Sequence, residues 1–202
     1  MMAPTSRCRL PAMSAHARLL AALVATLALA APASAQPWPS KPIKLVVGFA
    51  AGGVADVTAR VVAQKLSDQL GQPVVVDNRP SAGGIVAAEA VAKAAPDGTT
   101  LLLMSNGNAV SASLFRSLPY DTLADFAPVS TLGFFDVALV ASADAKIDSM
   151  AALLAYAKAN PGKLNIGTIN VGSTQHLSAE LFRSMTGFDA TVVPYKGSPA
   201  VI

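Results

Sequence analysis

Ile43-Lys-Leu-Val-Val-Gly-Phe-Ala-Ala-Gly-Gly-Val-Ala-Asp56-Val-Thr-Ala-Arg60 runs from an apolar strand through a glycine pair into a helix. Gly52 and Gly53 have no Cβ, so the backbone turns sharply there and comes close to a ligand. The N–H groups that open the helix lack intrahelical partners and carry partial positive charge, which favours a carboxylate or a phosphate. A tight strand-to-helix turn with no ligand is the alternative reading of the same glycines.

Working outward, Ile43–Phe49 reads as a strand. The stretch 55–70 reads as a helix whose apolar face is Val57, Val61, Val62 and Leu66, stopped by Gly71-Gln-Pro73. Val74-Val-Val76 is a short buried strand, 85–94 a second helix and 100–104 a third strand after the turn Pro96-Asp-Gly98. This βαβαβ alternation predicts an α/β fold with a parallel sheet and right-handed crossovers. A short helix is expected near 111–117. Then 126–133 and 134–141 are extended apolar segments, and a lobe change is placed at their start. Helix 149–160 with Ser149 as N-cap, strand 164–167, loop 168–173, helix 174–185 and strand 190–193 follow. The loop Pro194-Tyr-Lys-Gly-Ser-Pro199 opens a further helix that Ile202 cuts short, so the chain reads as a fragment or truncated product.

The first 35 residues read as a secretory leader. Leu19 to Ala31 is an unbroken small-apolar run, flanked by Arg7, Arg9 and Arg18 and by Ala33-Ser-Ala35, with cleavage before Gln36. The run is shorter than the roughly 20 apolar residues that span a bilayer, and Pro32 ends it. A buried core helix is the alternative, and Met13 would open a shorter leader. The formal charge of +3 comes entirely from the leader's three arginines; the remaining 12 basic residues balance the 12 acidic ones. No basic stripe with interleaved aromatics exists, so no nucleic-acid partner is expected. Cys8 is the only cysteine and lies in the leader, while His176 is the only histidine after it. Disulfides, thiol chemistry and a cysteine zinc site are thereby excluded from the mature chain.

Further motifs line up in order: Trp38-Pro-Ser-Lys-Pro-Ile43, Phe49-Ala-Ala-Gly-Gly-Val-Ala-Asp56 with Ala59-Arg60, and Val74-Val-Val-Asp-Asn-Arg-Pro-Ser-Ala-Gly-Gly84. Pro96-Asp-Gly98 before Thr100, Leu118-Pro-Tyr-Asp121 with Asp125-Phe-Ala-Pro-Val129, Gly172-Ser-Thr-Gln-His176 and Val193-Pro-Tyr-Lys-Gly197 complete the set. In this combination the chain resembles the periplasmic solute receptors of tripartite tricarboxylate transporters, the Bug or TctC-type family. The resemblance implies a periplasmic-binding-protein-like two-lobed clamshell, incomplete at the C-terminus, with residues 36–125 as the first lobe and 126–202 as part of the second. It implies a non-enzymatic receptor without cofactor or metal. Such a receptor binds a small carboxylate (a di- or tricarboxylate, an acidic amino acid or an aromatic acid) and delivers it to membrane permease subunits. The family chain continues through the second lobe and returns to the first, so the resemblance also implies that this sequence lacks that return.

Carried over residue by residue, the resemblance places ligand contacts at Phe49, Ala51, Gly52, Gly53 and Asp56, and at Asn106. It also places them on the loop from Thr168 through Val171, Gly172 and Ser173 to His176, and at Tyr195 and Lys196 beside Gly197. The family usually has Pro where this chain has Ala51, and glycine where it has Asn170; Asn tolerates φ > 0, so Asn170 is compatible with a turn.

The residues themselves point to the same ligand class. Helix-opening loops at Gly52-Gly53 and Gly172-Ser173 offer N–H groups from two sides, which suits a dicarboxylate. The nucleotide patterns Gly-x-x-x-x-Gly-Lys-Ser/Thr and Gly-x-Gly-x-x-Gly are missing from the first loop. Asp56 is either a helix cap or an acceptor for a ligand. Ser173 and His176 are either an N-cap with a histidine packed behind it or the nucleophile and base of a serine hydrolase, which would also need a carboxylate and an oxyanion hole. Lys196 is either an exposed loop lysine or a ligand contact.

Overall fold

The computed structural model describes His16 and residues 37–202. The leader reading, including its apolar run, cleavage motif, Cys8 and Met13, lies outside the described residues.

Ile43, Leu45, Val46 and Val47 are all buried, as a strand covered on both faces must be. They form β1 (Ile43–Val47), the centre of a three-stranded parallel sheet with β2 (Val74–Asn78) on one side and β3 (Thr100–Leu103) on the other. Ile43 pairs with Val74 in β2, and Lys44 with Thr100 in β3. α1 (Val54–Leu70) connects β1 to β2, and α2 (Ile85–Ala92) connects β2 to β3. The expected β-α-β-α-β order and parallel pairing are therefore present.

The buried face of α1 is only partly the expected one: Val62 and Leu66 are half-buried. Asp56, Ala59 and Ala63 face the sheet, whereas Val57 and Val61 are 54% and 62% exposed. Alanine has almost no side chain beyond Cβ, so the alanine face lets the helix lie close against Leu45 and Val47, which cluster with Ala59. Close approach outweighs the larger side chains of Val57 and Val61, which are left outside.

α3 spans Asn106–Leu114, several residues earlier than expected, because Ser105 and Asn108 form a capping box that opens it: the Ser105 N–H donates to Asn108 Oδ1 at 3.0 Å. Residues 126–142 form neither helix nor strand, and Val129, Phe134 and Val140 there are more than four-fifths exposed. α4 (Met150–Ala159) starts at the expected Ser149 cap, whose Oγ accepts from the Ala152 N–H at 3.2 Å.

A second parallel sheet pairs β4 (Leu164–Ile169) with β5 (Ala190–Tyr195), Leu164 opposite Ala190 and Ile169 opposite Tyr195, joined by α5 (Thr174–Thr186). Both strands run two residues further than the apolar pattern suggests. Thr168, expected in a loop, is therefore a buried strand residue. The chain ends on a 3-10 turn, Ser198–Ala200. Both sheets belong to one compact unit, Pro39–Ile202.

Candidate functional site

Four loops leave the C-terminal ends of strands β1, β2, β4 and β5, the edge at which open parallel α/β sheets bind ligands. In the first, Gly52 takes a left-handed φ of +84°, and its N–H donates to Asp56 Oδ2 at 2.9 Å. Arg60 Nε donates to the same oxygen at 3.0 Å and Arg60 Nη2 lies 3.0 Å from Oδ1, a two-point ion pair one helical turn long. These partners, Arg60 foremost, hold the Asp56 carboxyl below its ordinary pKa although burial pulls it upward. Asp56 is thus a reach-back cap on the helix start. It also takes up the Gly52 N–H that the glycine turn would otherwise offer to an anion. The Phe49 carbonyl accepts from Asn78 Nδ2 at 3.1 Å, which ties the loop to the end of β2.

The loop after β2 repeats the strand, glycine pair and helix pattern with Ser81-Ala82-Gly83-Gly84. Gly83 and Gly84 both have positive φ, and a Cβ on Gly83 would collide with Ser111 Oγ. The Gly83 carbonyl accepts from Asn108 Nδ2 and Ser111 Oγ, each at 3.3 Å, so α3 anchors this loop. The loop after β4 meets it directly. The Gly83 N–H donates to the Val171 carbonyl at 2.9 Å and Asn170 Nδ2 donates to the Ser81 carbonyl at 3.1 Å. Nearby, Thr174 Oγ1 donates to Asn106 Oδ1 at 2.6 Å, which joins the starts of α5 and α3. The left-handed residue of the β4 loop is Gly172, at φ +81°; Asn170 keeps a negative φ, so its tolerance of the left-handed region is not called on.

Ser173 is an N-cap. Its Oγ accepts from the His176 N–H at 3.1 Å and donates to the Ile169 carbonyl at 2.9 Å, and the residue is buried. The hydroxyl proton therefore points at a backbone carbonyl and not at the imidazole, which removes the geometry a serine nucleophile needs. His176 Nδ1 and Thr168 Oγ1 are buried without hydrogen-bond partners among the described residues.

The loop after β5 packs on the first loop: a Cβ on Gly197 would come within 2.9 Å of Ala50 Cβ, and one on Gly52 within 3.2 Å of Pro199. Between the second, third and fourth loops lies a cleft of about 320 Å³. Pro80, Ser81 and Ala82 line it from the first sheet; Asn170, Val171, Pro194, Tyr195 and Lys196 line it from the second. Its volume is within the range of small-molecule sites. Among the described residues the lining holds one formal charge, Lys196, and no carboxylate, so the cleft suits an anion.

Of the residues expected at the site, Val171, Tyr195 and Lys196 line this cleft together, and Asn170, within the expected loop though not singled out in it, lines it beside them. Gly172, Ser173 and Asn106 stand behind the β4 loop as turn, cap and brace. Phe49, Ala51, Gly52, Gly53 and Asp56 belong to the neighbouring first loop, and Thr168 and His176 are not on the cleft lining. The residues missed are Pro80, Ser81, Ala82 and Pro194. The signal that finds the first three is the second glycine pair after a strand, the same pattern that singled out Gly52-Gly53.

Comparison with known proteins fits this geometry. Residues 58–202 match the family model described as Tripartite tricarboxylate transporter family receptor. Protein BugT of Bordetella pertussis is 48% identical over 191 residues, which is 92% of this chain and 59% of BugT. MatC of Rhodopseudomonas palustris, solved with bound malate, superposes with a TM-score of 0.74 at 34% identity over 81% of this chain and 56% of MatC. An R. palustris protein solved with adipate gives 0.71 at 38% identity, over 81% of this chain and 55% of that one. The chain thus spans somewhat more than half the length of these relatives. Parallel sheets, glycine-turned loops at their C-terminal edge and these matches lead to one conclusion: the chain belongs to the tripartite tricarboxylate transporter receptor family, whose members bind solutes for transport and are not enzymes.

Proposed function

We propose that this chain carries the ligand-gripping loops of a periplasmic receptor for a small dicarboxylate, which it hands to the permease subunits of a tripartite transporter. The observation that carries the reading is the cleft between the Ser81–Gly84 and Asn170–Ser173 loops, lined by Lys196 and, among the described residues, by no acidic side chain. In this reading residues 1–35 are the export leader, 36–125 the first lobe and 126–202 part of the second. Two relatives solved with malate and adipate support a four- to six-carbon diacid. The Gly52 and Gly83 N–H groups are taken by Asp56 and Val171, so Lys196 is the donor this reading relies on, and its bond to a carboxylate strengthens as water leaves.

Thermal denaturation of the chain with malate, adipate, acetate and phosphate tests this. A diacid that raises the midpoint in a concentration-dependent way, with acetate and phosphate inactive, is expected; saturation at 100 times Kd adds about 2.7 kcal/mol. Replacement of Lys196 by Gln is expected to weaken that binding about twofold to fivefold, with the difference shrinking as salt is added. A midpoint unmoved by any diacid, or moved equally by phosphate, refutes the reading.

A further inference from the structure

Asn170 is the buried polar side chain in the cleft wall, and its amide crosses 89 residues of sequence to reach the Ser81 carbonyl. Beside this bond the Gly83 N–H runs the other way, to the Val171 carbonyl at 2.9 Å. The two bonds have opposite senses and join the neighbours Asn170 and Val171 to Ser81 and Gly83, with Ala82 between them, so they form a small reciprocal rung between the β2 loop and the β4 loop. Each end is anchored. Gly83 is held by Asn108 and Ser111 of α3, and Asn170 by its own carbonyl, which accepts the Ser173 N–H at 3.0 Å.

We propose that Asn170 is a positioning residue. Its amide clasps the first-sheet wall of the cleft to the second-sheet wall without a ligand, and so sets the width of the cleft that a ligand meets. The clasp itself stands on the geometry alone; its effect on affinity rests on the receptor function proposed above. A wall spacing set in advance removes part of the ordering cost of binding. Where only a fraction of molecules has the competent spacing, apparent affinity falls by that fraction. A side chain of similar size without an amide donor is expected to fail, since the donor, and not the volume, makes the bond.

Amide hydrogen exchange of the ligand-free chain, read residue by residue by NMR, tests the clasp. In the parent, the Gly83 N–H is expected to be protected. In Asn170→Ala and in the near-isosteric Asn170→Asp, it is expected to exchange about threefold to tenfold faster, the range one net hydrogen bond covers. The Val46 amide in the sheet core is expected to stay unchanged and shows that the variants are folded. Adipate and malate are expected to bind both variants more weakly, Asn170→Asp the weaker of the two because its carboxylate also repels the diacid. A parent Gly83 amide that exchanges like an unstructured one overturns the proposal without any variant. So does Gly83 exchange unchanged in both variants, or an affinity lost in Asn170→Ala and kept in Asn170→Asp, which would assign the effect to volume. If Gly83 exchange accelerates while no diacid binds the parent, the clasp stands and the receptor reading fails.

Discussion

Replacement of Asp56 by Ala separates a structural carboxylate from a ligand contact. In the parent this buried carboxylate accepts the Gly52 N–H at 2.9 Å and pairs with Arg60 at 3.0 Å on both oxygens. Removing one member of a fully buried ion pair costs about 3–5 kcal/mol, because the other charge is stranded. That figure is too large here. The Arg60 side chain is 56% exposed and re-solvates, and Gly52 is exposed and takes water. What remains is a charge-assisted hydrogen bond, about 1.5–3 kcal/mol, and the favourable placement of an anion in the first helical turn, about 0.3–1 kcal/mol. After the recovered hydration is set against them, the expected loss is about 2 kcal/mol. For a chain of this size that lowers the midpoint by about 4–8 °C at pH 7. Asp56→Asn keeps an acceptor for Gly52 but no charge, so it is expected to lose about half as much. The pH dependence has a definite sign. The folded-state pKa of Asp56 lies below its unfolded value. Its stabilisation is therefore complete above the unfolded value of about 3.9 and is lost as pH falls through the folded one. Thermal melts of the parent and Asp56→Asn between pH 7 and pH 3 should show a gap that narrows in acid. Equal midpoints at pH 7, or a gap that widens on acidification, would refute the cap assignment.

Gly83→Ala forces a left-handed φ on a residue with a Cβ and drives that atom into Ser111 Oγ, so a loss of about 2–4 kcal/mol is expected by urea denaturation. Gly187→Ala, with φ +68° and nothing within 4 Å of the added atom, is expected to lose only about 1 kcal/mol; comparable losses at the two sites would mean that contact with α3 is unimportant. Ser173→Ala removes the cap of α5 and is expected to lower stability by about 1 kcal/mol. Parent and variant are both expected to be inactive toward p-nitrophenyl esters, and turnover by the parent that vanishes in the variant would overturn the N-cap role.

What the sequence determined by itself is local. The apolar run 43–47 followed by two glycines makes a strand and a turn whatever surrounds it, since periodicity, steric freedom at Gly52 and helix-end polarity all act within a few residues. The alternation of such units implies parallel pairing, and the ordered motifs from Trp38 to Gly197 identify the family. The rest depended on distance across the fold. Hydrophobicity favoured the Val57–Val61 face of α1, yet the sheet took the Ala59–Ala63 face because small side chains permit closer packing. Asp56 and Ser173 read as caps or as ligand contacts, and their bonds to Gly52, Arg60 and Ile169 place both in helix-start roles. The cleft could be found only in three dimensions. Its walls come from loops nearly ninety residues apart, and the hydrogen bond from Asn170 to Ser81 leaves no periodic trace in the chain, because nothing local to either residue requires the other.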